Sequence, residues 1–382
     1  MIIWTAMLVP TLTAIILAVL FRKKVTWWEY LLMFAVPAML IGGVKVSVEA
    51  AQVRCTEYWG AYLTEANYYE DWNEYIHKIC SESYPCGTDS EGNTTYCTRF
   101  YDCSYVDYHP EYWEVENSIG ESFRVSKNYF EDLCKMWNNR TFVDMARNFH
   151  TDDGDAYTTK FDKEPAHLIP TTTEHIYENR VQASHSVFNF REFKKGEASA
   201  LGLYDHPPVK GFTQNCILGP WASAQDEGKG EKAIAFLNAV FGKPSKVRVY
   251  LLLWMNKPLS ISHEQEAYWK GGNKNEVVVC VGVDPSYTPQ WARVFGWTKN
   301  ETLKIEVRNR IMSQKKLDVV DLAHALELQI LGKTIRRDFR EFSYLTVDPP
   351  MKAVIWTFVL TFIVCGLLGW FVVGNEIDVE KE

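Results

Sequence analysis

The 382-residue sequence predicts an α+β membrane protein with three transmembrane helices, a cysteine- and aromatic-rich module stapled by disulfides, and an α/β sandwich domain. Three observations lead to this fold class. Three stretches are apolar enough to span a bilayer, six of the nine cysteines fall within residues 55–134, and the second half of the chain alternates between helix-like and strand-like segments. A chain of this length can hold two ordinary domains besides the membrane segments.

The three apolar stretches are residues 1–21, 27–48 and 353–374. The first and third contain no charged residue, and the second contains one acidic and one basic residue near its ends. We predict that all three are transmembrane helices in contact with the lipid bilayer. The alternative for the second stretch is a buried or interfacial helix.

The orientation follows from a basic cluster at residues 22–24. This cluster comes after the first apolar stretch, whereas a secretory signal carries its positive charges before the apolar run. The positive-inside rule therefore places the loop of residues 22–26 in the cytoplasm. Residues 49–352 are then expected to be extracytoplasmic, in a periplasm, at a cell surface or in a lumen. The acidic tail, residues 375–382, is expected to return to the cytoplasm.

The module at residues 49–137 contains four cysteines separated by five, ten and five residues, nearly symmetric about a turn-forming segment. Glycine and asparagine residues mark turns here and predict a β-hairpin. Facing strands would pair the outer two cysteines with each other and the inner two with each other, which is one of three possible connectivities. Two further cysteines flank the hairpin and can form a third, longer bridge. The disulfide candidates are Cys80, Cys86, Cys97, Cys103, Cys55 and Cys134.

A four-thiolate zinc site is the alternative for the four central cysteines. Zinc sites usually have two to four residues between the cysteines of each pair, and the gaps of five here are longer. The even number of cysteines in the module suits an oxidising compartment, which favours disulfides. We therefore expect no metal in this module.

Residues 55–80 combine aromatic and acidic side chains. Spacings of three, four and seven residues place five side chains near one face of a predicted helix, namely Tyr58, Tyr62, Tyr69, Trp72 and Ile76. The rings are expected to pack a small disulfide-stapled core, because bulky aromatic side chains supply much buried area. The alternative is a binding surface for a glycan or a peptide.

Residues 138–220 are polar and strand-like, with Gly and Pro frequent towards their end, and are predicted to form a strand-rich connecting region. A turn signal within residues 149–157 predicts a hairpin. The acidic residues at its tip lack the ligand spacing of an EF-hand loop, so a solvated tip is expected and a calcium site is the alternative.

Residues 221–348 alternate between helix-like and strand-like segments. Residues 222–241 and 317–331 have helical spacing. Residues 246–255 are rich in strand formers, and residues 276–283 form a nearly continuous apolar run, as expected for a strand buried on both faces. This order predicts an α/β sandwich in which helices cover a mixed sheet.

Within this region, the helix, glycine turn and apolar strand of residues 265–279 resemble the TPM domain, which occurs in membrane-anchored bacterial proteins and in a plastid lumen protein. Residues 292–297 look like a family strand that ends in glycine. The resemblance covers roughly residues 222–331, under a third of the chain, and implies the family's α/β fold. The family's acidic metal-binding positions have no clear match in this sequence, although Asp284 lies at a strand end. Residues 297–299 depart from the family's small-residue and glutamate pattern.

Complete catalytic motifs are missing from the sequence. His263 and Glu264 begin a zincin-like motif whose second histidine is replaced by Ala267, and the nucleophile-elbow and P-loop patterns do not occur. The net charge of −8 gives no reason to expect a nucleic-acid partner. We therefore assign no catalytic, cofactor-binding or metal-binding residue and no cofactor.

These observations predict a multi-pass membrane protein that is not an enzyme. Its large, disulfide-stabilised extracytoplasmic region would bind or scaffold an envelope component or a protein partner. The alternative is a TPM-type extracytoplasmic hydrolase, a metal-dependent phosphatase that would lose its activity when Asp284 is replaced.

Overall fold

The computed structural model of the chain describes residues 2–21, 25–145, 155–184, 190–330 and 336–375. The basic cluster at residues 22–24, most of the hairpin predicted at residues 149–157 and the end of the acidic tail lie outside this part. In the described residues, helices and strands mix throughout the chain, as predicted for an α+β protein.

The helices and strands of the described residues are numbered here in chain order. The helices are α1 (Leu8–Leu20), α2 (Trp27–Val53), α3 (Lys127–Trp137), α4 (Arg180–Ala183), α5 (Glu197–Leu201), α6 (Ala224–Ser245), α7 (Ser260–Tyr268), α8 (Glu301–Met312), α9 (Val319–Ile330) and α10 (Met351–Asn375), with 3-10 segments at Ile2–Met7, Pro165–His167 and Phe339–Phe342. The strands are β1 (Arg54–Tyr69), β2 (Trp72–Ile76), β3 (Ile79–Thr88), β4 (Thr94–Asp102), β5 (Tyr105–His109), β6 (Tyr112–Asn117), β7 (Ser122–Val125), β8 (Thr141–Val143), β9 (Ala156–Lys160), β10 (Pro170–Glu178), β11 (Ile217–Leu218), β12 (Arg248–Met255), β13 (Glu276–Val283) and β14 (Pro289–Gly296).

Three helical segments are long and apolar enough to cross a membrane, namely Ile2–Leu20, Trp27–Val53 and Met351–Gly374. They pack against one another through small apolar clusters, one of which contains Ile3 and Ile41. Their remaining surface exposes many large apolar side chains, which is the pattern of helices that face lipid. The second helix begins at a capping box in which the Glu29 carboxylate accepts hydrogen bonds from the Thr26 backbone N–H and hydroxyl.

The prediction of a helix over residues 55–80 is wrong. The chain leaves α2 and enters the 16-residue strand β1 directly, and β2 follows within the same stretch. Tyrosine, tryptophan and threonine fit a pleated, half-buried surface, and β1 gains ladder partners from distant parts of the chain. These long-range pairings decide the conformation where the local spacing is ambiguous.

The six-stranded sheet is organised around β1, with strand order β7-β6-β1-β9-β8 and β10 paired to β1 outside this path. Residues 54–62 of β1 pair with β10, and its second half pairs with β6 on one side and β9 on the other. Helix α3 covers the second half through a core that includes Leu63, Phe130 and Trp137. Segments from both halves of residues 49–220 therefore share one sheet.

The four-stranded sheet has the order β11-β12-β13-β14, in which the first three strands are parallel and β14 is antiparallel. Strand β13 is buried along its whole length and β12 along nearly all of it, as the apolar runs predict. Side chains of α6, α8 and α9 pack on one face, and side chains of α5 and α7 pack on the other. The helices thus cover both faces of this mixed sheet.

The two sheets meet where the C-terminal half of α6 lies against β1. A Cβ atom added to Gly60 would lie 2.0 Å from the backbone oxygen of Asn238, and one added to Gly242 would lie 1.9 Å from the backbone oxygen of Gly60. Real Cβ atoms do not approach other atoms this closely. Only glycine at both positions allows the helix and strand backbones to touch.

The structure contains two disulfides, Cys80–Cys103 and Cys86–Cys97, with Cα–Cα distances of 5.8 and 5.6 Å. This is the nested pairing that the spacing predicts, and it uses all four thiolates that the zinc alternative would need. A third bridge between Cys55 and Cys134 is not formed, and both residues are free.

The two flanking cysteines lie over different halves of β1, which explains why they do not pair. Cys55 is near the start of β1, opposite Tyr177, and its thiol donates a hydrogen bond to the Gln182 Oε1 at 3.4 Å. Cys134 lies on α3 and packs with the cluster over the second half of β1. Sequence spacing alone could not show that β1 separates them.

Candidate functional site

Residues 70–111, which we call the arm, form an insertion at one end of the six-stranded sheet. Strand β1 ends at Tyr69 and β6 begins at Tyr112, and these two residues pair with each other. The arm therefore leaves the sheet at the end of β1 that is farther from α2. It consists of two successive antiparallel ladders, β2–β5 and β3–β4. The outgoing chain of these ladders measures roughly 50 Å at about 3.3 Å per residue.

The arm keeps its shape without a core of its own. A two-stranded ribbon is only marginally stable in water, and the two disulfides cross-link β3 to β4. At the tip, the Asp89 Oδ1 accepts hydrogen bonds from the backbone N–H groups of Glu91 and Asn93 and closes the turn. At the base, the Trp72 ring stacks on His109 with a centroid distance of 4.0 Å.

The arm exposes large apolar side chains to solvent. Ile79 is 77% exposed, Phe100 71% and Tyr96 69%. The other large exposed side chains of the arm are Tyr84, Tyr101, Tyr105, Val106 and Tyr108. Soluble surfaces rarely expose so many large apolar groups together unless they bind something. The aromatic core expected for residues 55–80 is thus restricted to the six-stranded sheet, where rings such as Tyr58 and Tyr62 are half-buried.

The arm also carries most of the net charge of the chain. It contains nine acidic and two basic residues, a formal charge of −7 against −8 for the whole sequence. At the tip, hydrogen bonds from the Asn93 and Glu91 backbone hold the pKa of Asp89 below its usual value. This carboxylate therefore stays ionised at neutral pH. The surface of the arm is both apolar and strongly acidic.

A second feature is an open cleft of about 680 Å³ between the start of β1 and the loop that follows α7, which we call the cleft. Tyr58 and Trp269 contribute aromatic walls, and His206 and Lys270 contribute basic groups. The cleft lies beside the first residues of β12 and β13, which are the buried charged residues Arg248 and Glu276. The elements that form it come from both sheets.

A buried ion pair lies behind the cleft. The Glu276 carboxylate accepts hydrogen bonds from the His206 Nε2 at 2.8 Å and from the backbone and side-chain nitrogens of Asn273, each at 2.8 Å. Burial favours the neutral form of Glu276, but the His206 charge and these hydrogen bonds outweigh it and hold the pKa of Glu276 below its usual value. Burial alone would lower the pKa of His206, but the Glu276 carboxylate raises it.

Arg248 adds a second buried cation to this region. Its guanidinium donates hydrogen bonds to the Tyr250 hydroxyl at 2.8 Å, the Thr172 hydroxyl at 3.1 Å and the Gln214 backbone oxygen at 2.7 Å. Within the described residues, all of these acceptors are neutral. The positive charge of Arg248 is therefore solvated by the protein without a directly paired carboxylate.

The His206–Glu276 pair predicts a pH dependence of stability. A histidine whose folded pKa is raised stabilises the fold fully below its ordinary pKa of about 6.5, and this contribution is lost as the pH rises through the folded pKa. A tenfold change in proton affinity on folding corresponds to about 1.4 kcal/mol. The wild-type thermal midpoint in a neutral detergent should fall between pH 6 and pH 9. His206→Gln, which is neutral at both values, should show a smaller fall; an equal fall in the variant would contradict the assignment.

Both carboxylate oxygens of Asp284, the residue singled out from the sequence, accept hydrogen bonds from residues that follow it in the chain. Its Oδ1 accepts hydrogen bonds from the backbone N–H groups of Ser286 at 2.8 Å and Thr288 at 3.0 Å, and its Oδ2 accepts one from the Gln290 side chain at 3.1 Å. Within the part of the chain that the structure describes, no group of three or more His, Cys, Asp or Glu side chains is placed to hold a metal ion.

Sequence reasoning missed the cluster around Glu276. A usable signal was present, because Arg248 and Glu276 are charged residues at the start of two otherwise apolar strands. A charge in such a position must be paired or hydrogen-bonded once it is buried. The partner His206 lies 70 residues before Glu276 and could not be found from spacing.

No protein-family model, curated protein or solved structure matches this chain. The arm and the cleft must therefore be interpreted from their own geometry and chemistry.

Proposed function

We propose that this chain is a multi-pass integral membrane protein whose region between α2 and α10 is extracytoplasmic and binds a protein partner through the arm. The observation that carries the proposal is the arm itself, on which eight large apolar side chains remain exposed on a disulfide-stapled ribbon. Folding gains nothing from leaving these side chains in water. Their burial by a partner supplies the missing stabilisation.

The location is supported by two independent features. Structural disulfides persist in oxidising compartments and are rare in the cytosol, and the described arm contains two of them. The basic cluster at residues 22–24 favours a cytoplasmic loop between the first two helices. Both features favour the same orientation, with the arm outside.

The position of the arm suits the capture of a partner at a distance from the bilayer. Strand β1 continues α2 without a linker, and its 16 residues correspond to roughly 50 Å. The Arg180 guanidinium bonds the Glu49 carboxylate at 2.7 Å and the Leu345 backbone oxygen at 3.3 Å, which ties the end of α2 to the segment that leads into α10. The start of β1 is thus fixed to both membrane-proximal segments.

The chemistry of the arm specifies the partner as a protein surface that carries lysine and arginine. Tyrosine is enriched at protein interfaces, where its ring packs and its hydroxyl bonds. Arginine and lysine also stack on aromatic rings. A charge of −7 steers a basic surface towards the arm and repels an acidic one such as an anionic membrane.

The location is tested with a membrane-impermeant thiol reagent on intact cells that express the full chain. Cys80, Cys86, Cys97 and Cys103 should be labelled only after reduction from outside, because they are disulfide-bonded. If these cysteines are labelled without reduction, and only after the membrane has been opened, the arm lies in the cytoplasm.

The partner is tested by photo-cross-linking in the same cells. A photoreactive phenylalanine analogue replaces Phe100 in the arm or, as a matched control, Phe142, which is an exposed aromatic residue of β8. We expect one protein to be cross-linked from position 100 and not from position 142, through peptides that contain lysine or arginine. The double variant Glu91→Lys and Asp107→Lys should reduce its yield at least about tenfold, whereas Asp132→Lys on α3 should leave it unchanged. Equal cross-linking from both positions, or no effect of charge reversal, would contradict the proposal.

A further inference from the structure

We propose that the cleft is a binding site for a small molecule with a planar apolar body and one anionic head group, a carboxylate or a phosphate. This site is separate from the arm and does not depend on the function proposed for it.

The size and walls of the cleft fit a small ligand. Its volume of about 680 Å³ falls within the range of small-molecule sites. Tyr58, Tyr268 and Trp269 line it with aromatic surface. Such walls bind a flat apolar body by stacking and by removing it from water.

The charge of the cleft favours an anion. His206 and Lys270 line it, and the Arg248 guanidinium lies buried behind the His206 ring, against Tyr250. The nearby carboxylates are already used, because Glu276 accepts from His206 and Asp205 accepts from the Tyr268 hydroxyl. Glu174, opposite Tyr58 in the β1–β10 ladder, lies 4.0 Å from the Lys210 ammonium. Within the described residues, Lys270 is therefore the lining cation that has no paired carboxylate.

Two polar groups of the cleft have no partner in the described residues. The Lys270 ammonium forms no ion pair and the Tyr58 hydroxyl forms no hydrogen bond there. Both are donors that an anionic head group can accept from. Lys270 has a positive φ of 50° at the start of the turn that continues through Gly271 and Gly272. The turn thereby fixes the backbone from which the Lys270 side chain extends at the rim.

The rigid surroundings favour a preformed site. The Trp269 indole donates a hydrogen bond to the Tyr204 backbone oxygen at 2.8 Å, and the His206 ring lies 4.7 Å from it. The Gln182 side chain donates to the Gly272 backbone oxygen at 3.4 Å. Groups that are fixed before binding lose little conformational entropy when a ligand enters.

The test uses the full chain in a neutral detergent, with 4-fluorobenzoate and 4-fluorophenyl phosphate as anionic probes and 4-fluorobenzamide and 4-fluorobenzylamine as neutral and cationic counterparts. Binding is followed by fluorine NMR of the probe. We expect at least one anionic probe to bind about tenfold or more tightly than both counterparts. A preference between the two anions then identifies the head group as carboxylate or phosphate.

Two variants locate the binding. Lys270→Gln should weaken the anionic probe about tenfold, and Tyr58→Phe, which removes only the hydroxyl, should weaken it about threefold. Lys232→Gln, at an exposed lysine of α6 outside the cleft, should have no effect. The proposal is overturned if no anionic probe binds at about 10 mM, roughly ten times a Kd of 1 mM. It is also overturned if the neutral probe binds equally well, or if Lys270→Gln and Lys232→Gln change the affinity alike.

Discussion

Replacement of Gly242 by alanine is expected to destabilise the protein by about 3 kcal/mol or more. The new methyl group would lie 1.9 Å from the backbone oxygen of Gly60 and 2.6 Å from its nitrogen. Backbone atoms of a central strand cannot move aside as a flexible side chain can, so the helix must shift as a whole. Overpacking of a tight interior usually costs 1–3 kcal/mol, and this clash is with backbone atoms in a strand paired along its length.

The same helix supplies a matched control. Gly228 is also within α6, and a Cβ atom there would meet no atom within 4 Å. Gly228→Ala should therefore be neutral or stabilising by about 0.5–1 kcal/mol, because alanine has the higher helix propensity. Denaturant midpoints from tryptophan fluorescence of the full chain in neutral detergent provide the measurement. If Gly242→Ala unfolds at the wild-type midpoint, α6 does not touch β1 as described.

The consequence of this contact reaches beyond one helix. Gly60→Ala should disrupt the same contact between β1 and α6, because its methyl group would lie 2.0 Å from the Asn238 backbone oxygen. The Asn238 side chain in turn bonds both the N–H and the C=O of Val249, at 2.7 and 3.0 Å. The β1 sheet, α6 and the start of β12 therefore form one stack. Either glycine substitution should loosen the cleft that lies between the sheets.

The parts of the fold that the sequence predicts are those with local signals. Strand β13 is a continuous apolar run, and α6 and α9 show helical spacing. The four central cysteines pair as their symmetric spacing indicates. In each case the deciding interactions lie within a short stretch of chain, so the pattern is visible without the rest of the molecule.

The parts that sequence reasoning misses depend on distant partners. Strand β1 is fixed by its ladder with β10, in which Arg54 pairs with Glu178. The residues next to Arg54 in the sequence carry no signal that predicts this pairing. The contact between Gly60 and Gly242 is equally invisible, because each glycine alone is an ordinary residue. The exposure of the arm could not be predicted either, since aromatic residues fit a core as well as a surface.

Removal of the Glu57 charge is expected to destabilise the protein strongly. Glu57 is 2% exposed, and both of its oxygens accept from the Arg336 Nη2, at 2.6 and 2.7 Å. The Lys274 ammonium lies 3.4 Å from the same carboxylate. Glu57→Gln would leave two largely buried cations without their counter-charge, and breaking a buried pair in this way costs about 3–5 kcal/mol.

The arm offers a control for this substitution. Glu82 also pairs with an arginine, Arg99, but both side chains are largely in solvent, where such pairs contribute about 0–1 kcal/mol. Glu82→Gln should therefore leave the unfolding midpoint close to that of the wild type, whereas Glu57→Gln should lower it clearly. Equal unfolding midpoints for the two variants would show that Glu57 is hydrated.

A second variant separates charge from packing at the same place. In the double variant Glu57→Gln with Lys274→Met, one of the two stranded cations is removed and most of its aliphatic volume is kept. If uncompensated charge causes the loss, the double variant should recover part of the stability lost in Glu57→Gln, by about 1 kcal/mol or more.

Burial already lowers the pKa of Lys274, against the opposing effect of Glu57. Raising the pH towards 10 should therefore also reduce the deficit of the single variant, because Lys274 can lose its proton and Arg336 cannot. If neither Lys274→Met nor high pH reduces the stability lost in Glu57→Gln, Glu57 acts through its shape and hydrogen bonds alone.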